Sequence, residues 1–395
     1  MKTYLHLIIL ILLCFSLASC STTPARKTPR IELDAKSPKQ ILDLFKFIKK
    51  SDSKIAIEKK IDECITSRPF QVMFSHYNRS WNPNKLPKDS MKHMILSLKY
   101  EEAYKGHEHR VTNFMKPVWE KYYTNISLFE KEIDYLSKID MNTLISNALN
   151  KANELLPRGV LIPDFYFFIH PNGRSNGFVI KNSHGLDFFQ LPKSKDGTID
   201  KDYLEMILTH EIHHLGLATL MPPELYDTKE NTALNVLSMP IGEGVANKFI
   251  NNAPGGCTSK VDSTRKSYYS NEVLVGWSDY NKSENKIFNK FIDLFNRAFA
   301  GSLTKKQFYT EFKNYWIKSR NKSRPRFYFL GAEIMGVIYQ GLGKNACLDV
   351  MKDPTQLFVK YTQALESNPT LKQRCPSIPR QTVINSSSLI FNPKK

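Results

Sequence analysis

The alternation of apolar and polar positions divides the chain into a helical stretch, a strand-like stretch and a second helical stretch. Apolar side chains recur at three- and four-residue spacing over Pro38 to Lys50, Lys54 to Ser67 and Met91 to Tyr104, which predicts amphipathic helices with one buried face. Leu128 to Leu156 keeps that period over a length that predicts one long helix or an interrupted pair. The period then changes. Phe165-Tyr166-Phe167-Phe168-Ile169, Gly177-Phe178-Val179-Ile180 and Leu186-Asp187-Phe188-Phe189-Gln190-Leu191 are short apolar runs separated by Asn172-Gly173 and by Asn182-Ser183-His184-Gly185. Turn residues between runs of β-favouring side chains predict an antiparallel meander, with His170 and His184 as turn or surface residues. Helical spacing returns in Glu284 to Ala300, Lys305 to Lys318 and Ala332 to Gly341, and the polar residues from Ser377 onward are expected to form a loose tail. The fold class predicted is α+β and mostly helical, with a small antiparallel sheet before the central helix and a helical C-terminal half.

That central helix carries the candidate chemistry. Asp200 to Thr209 has acids in its first turn and apolar Tyr203, Leu204, Ile207 and Leu208, and Leu215, Leu217 and Leu220 extend the stripe as far as Pro222-Pro223. Within it, His210-Glu211-Ile212-His213-His214 puts His210 and His214 one turn apart on one face, where two imidazoles can grip one zinc ion. Glu211 lies about 100° around the axis from His210, so its carboxylate is the candidate base for the water that such a metal activates. His213 points about 100° away from His214, which suits packing or a bond behind the ligands.

A catalytic zinc needs a third protein ligand. Six residues after His214 stands Leu220, which excludes a third histidine at that place. Glu243, in Ile241-Gly242-Glu243-Gly244, is the expected third ligand. Pro240 to Ile250 is predicted as a short helix begun by Pro240 and ended by Asn251-Asn252-Ala253-Pro254-Gly255-Gly256, and Gly242 and Gly244 would let two helices approach closely. Asn247, one turn after Glu243, is placed to orient its carboxylate. Glu224, Asp227 and Glu230 are rival ligands in a predicted loop, where tight geometry is harder to hold.

His210-Glu211-x-x-His214 followed by Gly242-Glu243-Gly244-x-Ala246 resembles the gluzincin clan of zinc peptidases, in particular its poorly characterised bacterial families. Tyr328-Phe329-Leu330-Gly331-Ala332-Glu333-Ile334-Met335, Gly341-Leu342-Gly343 and Asp353-Pro354 resemble a second block of those families. The similarity is specific over residues 203 to 250, and with this block it covers about half of the chain. It implies a small sheet whose outer strand binds extended peptide, an active-site helix, and a mostly helical second half that closes a cleft. Tyr328 is a candidate donor to the oxyanion formed when water adds to a carbonyl, against a core-packing role in the run Phe327-Tyr328-Phe329.

The N-terminus sets the expected compartment. Lys2, the apolar run Leu5 to Leu17 and then Leu17-Ala18-Ser19-Cys20 have the layout of a signal peptide over residues 1–19. A cysteine directly after the cleavage site resembles a bacterial lipobox, with Cys20 receiving the lipid. Residues 20–36 then form a polar tether. Ser21 resembles the outer-membrane sorting signal, which predicts a lipid-anchored envelope protein facing the periplasm. A helical N-terminal region over 37–160, a zinc metallopeptidase core over 161–376 and a tail over 377–395 complete the expected division.

Two further features depend on that compartment. The net charge of +18 would first suggest nucleic acid in a cytoplasmic protein. Export removes that partner, and the basic residues Lys318, Arg320, Lys322, Arg324 and Arg326 become the candidate anion-facing patch. Outside the cytoplasm Cys64, Cys257, Cys347 and Cys375 permit two disulfides, with Cys347 and Cys375 the nearest pair in sequence and the expected bond, or else free buried thiols. The function expected is hydrolysis of peptide bonds with one zinc ion. The alternative is a non-catalytic envelope lipoprotein whose peptidase-like cleft binds a partner or stores zinc.

Overall fold

The computed structural model describes residues 29–78, 85–174, 177–180, 183–194, 197–220, 228–254, 271–317 and 325–391. The predicted signal segment, Cys20, Cys257, Glu224, Asp227 and the basic residues 318–324 lie outside them. Among the described residues no helix is long and apolar enough to cross a membrane.

The first two helices, α1 (Ser37–Lys50) and α2 (Lys54–Ile65), match the apolar spacing; α3 (Arg68–Tyr77) lies outside the predicted stretches, and α4 (Lys88–Leu96) begins before Met91 and ends short of Tyr104, which lies in the 3-10 turn Glu101–Tyr104 that follows. Next come α5 (Arg110–Thr124), α6 (Ile126–Ser137) and α7 (Met141–Glu154), so the stretch 128–156 is the interrupted pair rather than one helix. The central helix is α8 (Lys201–Leu220), and α9 (Lys229–Val245) continues into a π-helical turn, Ala246–Ile250. The remaining helices are α10 (Asn271–Lys282), α11 (Glu284–Phe299), α12 (Lys305–Glu311), α13 (Arg326–Leu342), α14 (Lys344–Lys352), α15 (Leu357–Ser367), α16 (Pro369–Arg374) and α17 (Arg380–Ser387).

The sheet departs from the predicted meander. Its strands are β1 (Ile31–Asp34), β2 (Phe165–His170), β3 (Gly177–Ile180) and β4 (Ser183–Asp187), in the order β1-β2-β4-β3. β2 pairs in parallel with both β1 and β4, and only β3 with β4 is antiparallel. The reason lies at Asn172-Gly173. The backbone N–H groups of Asn172, Gly173 and Arg174 all donate to the Asp187 carboxylate at the end of β4, at 2.9, 2.7 and 3.1 Å. The Trp119 indole N–H donates to the Asn172 carbonyl at 3.3 Å. These bonds hold the segment against its own unit instead of letting it reverse as a two-residue hairpin, and β2, buried at every residue, takes the two-sided central place that parallel pairing suits. His170 and His184 are accordingly strand residues with 0% and 2% exposure, not turn or surface residues. β1 falls inside the expected tether; its four residues are too short a run to show a period.

Cα packing groups Ala25–Asn147 with Pro163–Glu205, and Ala148–Ile162 with Met206–Lys395. The sheet therefore packs with the N-terminal helices, and the boundary expected at 160/161 does not separate the two compact units. In the sheet-bearing unit Phe45 meets Trp119 edge-on at 5.7 Å, Tyr122 stacks on Phe189 at 4.2 Å, and Lys193 pairs with Glu132 at 2.8 Å in its interior.

In the other unit the expected loose tail is a docked helix. Thr382 and Ser386 of α17 are buried, the first accepting from the Asn296 amide at 3.1 Å and the second donating to the Thr355 carbonyl at 2.6 Å. Bonded polar side chains can be buried at little cost, so a polar composition concealed the docking. The expected Cys347–Cys375 bond is absent: Cys347 is a free buried thiol facing the Met335 carbonyl, while Cys375 is disulfide-bonded. Cys64 is also free.

Candidate metal centre

All the residues of the centre belong to the unit that contains Met206–Lys395. α8 supplies His210, Glu211 and His214 from consecutive turns, and α9 supplies Glu243. Pro240 does not start a helix, as its fixed φ suggested; it sits inside α9, three residues before Glu243. The packing explains why the interruption is tolerated. A Cβ on Gly331 of α13 would lie 2.2 Å from the Pro240 carbonyl oxygen and 3.0 Å from the Gly244 Cα. α13 thus presses its backbone against α9 at the proline, and only glycine fits on both sides. Gly242 faces the opposite way: a Cβ there would lie 2.8 Å from Leu217 Cδ2 and 3.8 Å from His214 Nδ1. The two glycines flanking Glu243 therefore admit α8 on one side and α13 on the other.

The expected ligands meet. His210 Nε2 lies 2.9 Å from His214 Nε2 and 3.6 Å from a Glu243 oxygen, and the other Glu243 oxygen is 3.4 Å from His214 Nε2. Three donors in tetrahedral array about 2.0–2.1 Å from zinc stand about 3.3 Å apart, which is the spread seen here. Exposure is 6% for His210 and 2% for Glu243, and the His214 side chain is 11% exposed, so the set is mostly enclosed by protein with His214 at its open side. Glu211 is 9% exposed, and its charge acts on His210, His214 and Glu243 alike.

Hydrogen bonds fix the orientation of these donors. A carboxylate only accepts, so the Asn247 amide nitrogen donates to Glu243 Oε2 at 2.9 Å, and it also meets the Glu243 carbonyl at 2.7 Å. Asn247 then presents its oxygen to the Asn251 amide nitrogen at 3.4 Å, which leaves the Asn251 oxygen facing His210 Nδ1 at 3.1 Å. His210 must donate from Nδ1, so its Nε2 lone pair points at Glu243 and His214. In the 2.9 Å contact between the rings the donor is consequently His214. The ladder Glu243–Asn247–Asn251–His210 joins both helices of the centre.

The titration tendencies agree with this assignment. Burial and the neighbouring His214 lower the His210 pKa below its ordinary value. Burial also works against charge on His214, but Glu243 and Glu211 outweigh it and raise the pKa. Burial would raise the Glu243 pKa, yet attraction to His214 and His210 holds it below the usual carboxylate value. The outcome is an ionised carboxylate and a His210 lone pair aimed at one point, with the His214 Nε2 proton the one that a bound zinc ion would displace.

Asn247 was expected beside Glu243; Asn251 was not, having been read as a helix terminator. Its signal is the spacing of Glu243, Asn247 and Asn251, four residues apart on one helix face. The π-helical turn keeps Asn251 in line, through its N–H to the Ala246 carbonyl at 3.0 Å, and Asn252 then leaves at a φ of 54°. His213 is fully buried, and burial with its histidine neighbours holds its pKa well below normal, so it is neutral. Of the rival ligands, Glu230 is exposed in the first turn of α9. Tyr328 is buried in the first turn of α13, its ring edge-on to Phe327 at 4.6 Å.

Residues 61–370 match the model of a family described as "Putative zinc dependent peptidase (DUF5700)". The chain belongs to this family. No curated protein and no solved structure matches it. Membership places the chain among zinc-dependent peptidases and makes zinc its cofactor, one ion for which His210, His214 and Glu243 are a fitting donor set. The match spans both compact units, including most of the N-terminal helices that showed no resemblance from sequence.

Proposed function

We propose that this chain is a gluzincin-type peptidase that hydrolyses peptide bonds in the cell envelope, with Glu211 as general base. The observation that carries the reading is the convergence of His210, His214 and Glu243 with Glu211 alongside in a closed interior. Zinc held by those three side chains supplies the Lewis acidity that polarises a peptide carbonyl and acidifies water. Glu211 takes the proton of the attacking water and returns it to the amine that leaves. Asn247 and Asn251 keep Glu243 and His210 aimed, so that neither must reorganise as charge develops. The Tyr328 hydroxyl is assigned to the oxyanion, which it would stabilise by donating a hydrogen bond. Lipid on Cys20 anchors the enzyme at the outer membrane, facing the periplasm, where its substrates are peptides or proteins and not nucleic acid.

Glu211→Gln tests the central assignment, because the amide keeps the shape and loses the basicity. Peptide-library cleavage should fall by about 10²- to 10⁴-fold while bound zinc stays at the wild-type level. Unchanged cleavage would remove Glu211 as base. Tyr328→Phe separates the weaker assignment: a drop in kcat with KM retained supports it, and wild-type kinetics refute it.

A further inference from the structure

We infer that Asp89, His93 and His107 form a second divalent-cation site of zinc class, in the sheet-bearing unit and apart from the catalytic centre. Asp89 and His93 stand one turn apart on α4, the spacing that also joins His210 to His214, and His107 comes from the segment after the 3-10 turn. The ligand atoms lie close enough to share one ion. His93 Nε2 is 3.4 Å from one Asp89 oxygen, and His107 Nδ1 is 2.6 Å from the other.

The tautomer of His93 is set by its surroundings. Its Nδ1 lies 2.8 Å from the Ala103 carbonyl, which can only accept, so Nδ1 carries a proton and Nε2 is turned toward the carboxylate. With Nδ1 so engaged, Nε2 is the ring atom left to meet an ion shared with Asp89. The backbone carbonyl behind the far nitrogen is the support that metal-bound histidines use. The rings stack face to face at 3.5 Å, 7° from parallel, so their in-plane lone pairs run side by side, and the more exposed His107 ring turns toward Asp89 to share an ion with His93.

The segment carrying His107 is shaped to deliver it. Gly106 has a φ of +85°, and its N–H donates to the Glu108 carboxylate at 2.8 Å, which turns the chain back toward α4. Side-chain exposure is 60% for Asp89, 23% for His93 and 37% for His107, so water can complete the coordination and the ion can exchange with solvent. Two imidazoles and one carboxylate suit zinc and its transition-metal neighbours rather than calcium or magnesium. Bound there, the ion would clip α4 to the segment that follows it.

The test is a zinc count on the full chain, stripped with chelator, dialysed against buffered micromolar zinc chloride and measured by atomic emission. Wild type should hold two ions, His93→Gln and His107→Gln one each, and Glu243→Gln one, with far-UV circular dichroism confirming that each variant is folded. Zinc should still raise the melting temperature of Glu243→Gln and fail to do so in the Glu243→Gln/His107→Gln double variant. A wild-type count of one, or a second ion that survives both histidine substitutions, overturns the proposal. The catalytic assignment is untouched by either result, since it rests on the ion lost with Glu243.

Discussion

At His210, His214 and Glu243 the ligands come from two helices with a third packed on Gly244, whereas at Asp89, His93 and His107 they come from one helix and the segment after it. Both clusters are two imidazoles and a carboxylate. They differ in what surrounds them. The carboxylate of the first is 2% exposed and accepts an amide N–H; that of the second is 60% exposed. In the first, side chains orient a histidine through a ladder, and in the second a backbone carbonyl does so. Burial excludes competing water and strengthens the field at the reacting atoms, which is why chemistry is proposed for the first cluster and a clip for the second.

The sharpest break in the comparison is loss of the carboxylate. Glu243→Gln leaves two imidazoles without their carboxylate partner and only Glu211 nearby to balance a cation. Peptide hydrolysis should fall by more than about 10³-fold and zinc affinity at that site by more than about 100-fold. Asp89→Asn should weaken zinc at the exposed site by only about 10-fold, because water can replace a lost oxygen there. Competition with a chromophoric chelator measures both. Equal losses would mean that enclosure does not distinguish the two sites.

Packing provides the next contrast. Alanine is intrinsically the better helix former by about 1 kcal/mol, so helix propensity alone predicts that Gly331→Ala stabilises α13. The new Cβ would instead meet the Pro240 carbonyl at 2.2 Å. Backbone atoms cannot rotate away, and overpacking of this kind should cost about 3 kcal/mol, read in denaturant unfolding, with weaker zinc binding as α9 shifts. Gly106→Ala, beside the exposed cluster, has nothing within 4 Å of its Cβ and should cost only the φ strain, about 1 kcal/mol. A stabilised Gly331→Ala would show that α9 and α13 are not in close contact.

The glycines that flank Glu243 show where the sequence is legible. Gly242, Glu243 and Gly244 could be read because ligand chemistry and helix approach each demand a particular residue at a particular spacing. Pro240 misled, since its fixed φ signals a first turn and nothing local reveals a tightly packed neighbour that supports it mid-helix. Asn172-Gly173 misled likewise: the dipeptide favours a hairpin, but the Asp187 carboxylate, distant in sequence, accepts its backbone N–H groups and redirects the chain. Thr382 and Ser386 look like tail residues until their partners Asn296 and Thr355 are known. What escaped in each case is a contact or bond between segments apart in the chain.

Asn251 gives the finest test, because the ladder differs from the backbone carbonyl at His93 in being removable. Asn251→Ala deletes the acceptor for His210 Nδ1–H and the donor to Asn247, so the His210 ring is free to turn and its tautomer is no longer set. Zinc affinity should fall by about 10- to 100-fold, the usual range for groups behind a metal ligand. Asn251→Asp divides the two roles. Its carboxylate still accepts from His210 and so still selects the tautomer, but it cannot donate to Asn247, which then meets acceptors on both sides. If orienting His210 is the main role, Asp should retain most of the affinity that Ala loses; if holding Asn247 on Glu243 matters more, Asp should bind zinc no better than Ala. Wild-type affinity in both variants would reduce the ladder to helix packing and leave the buried cluster oriented by its enclosure alone.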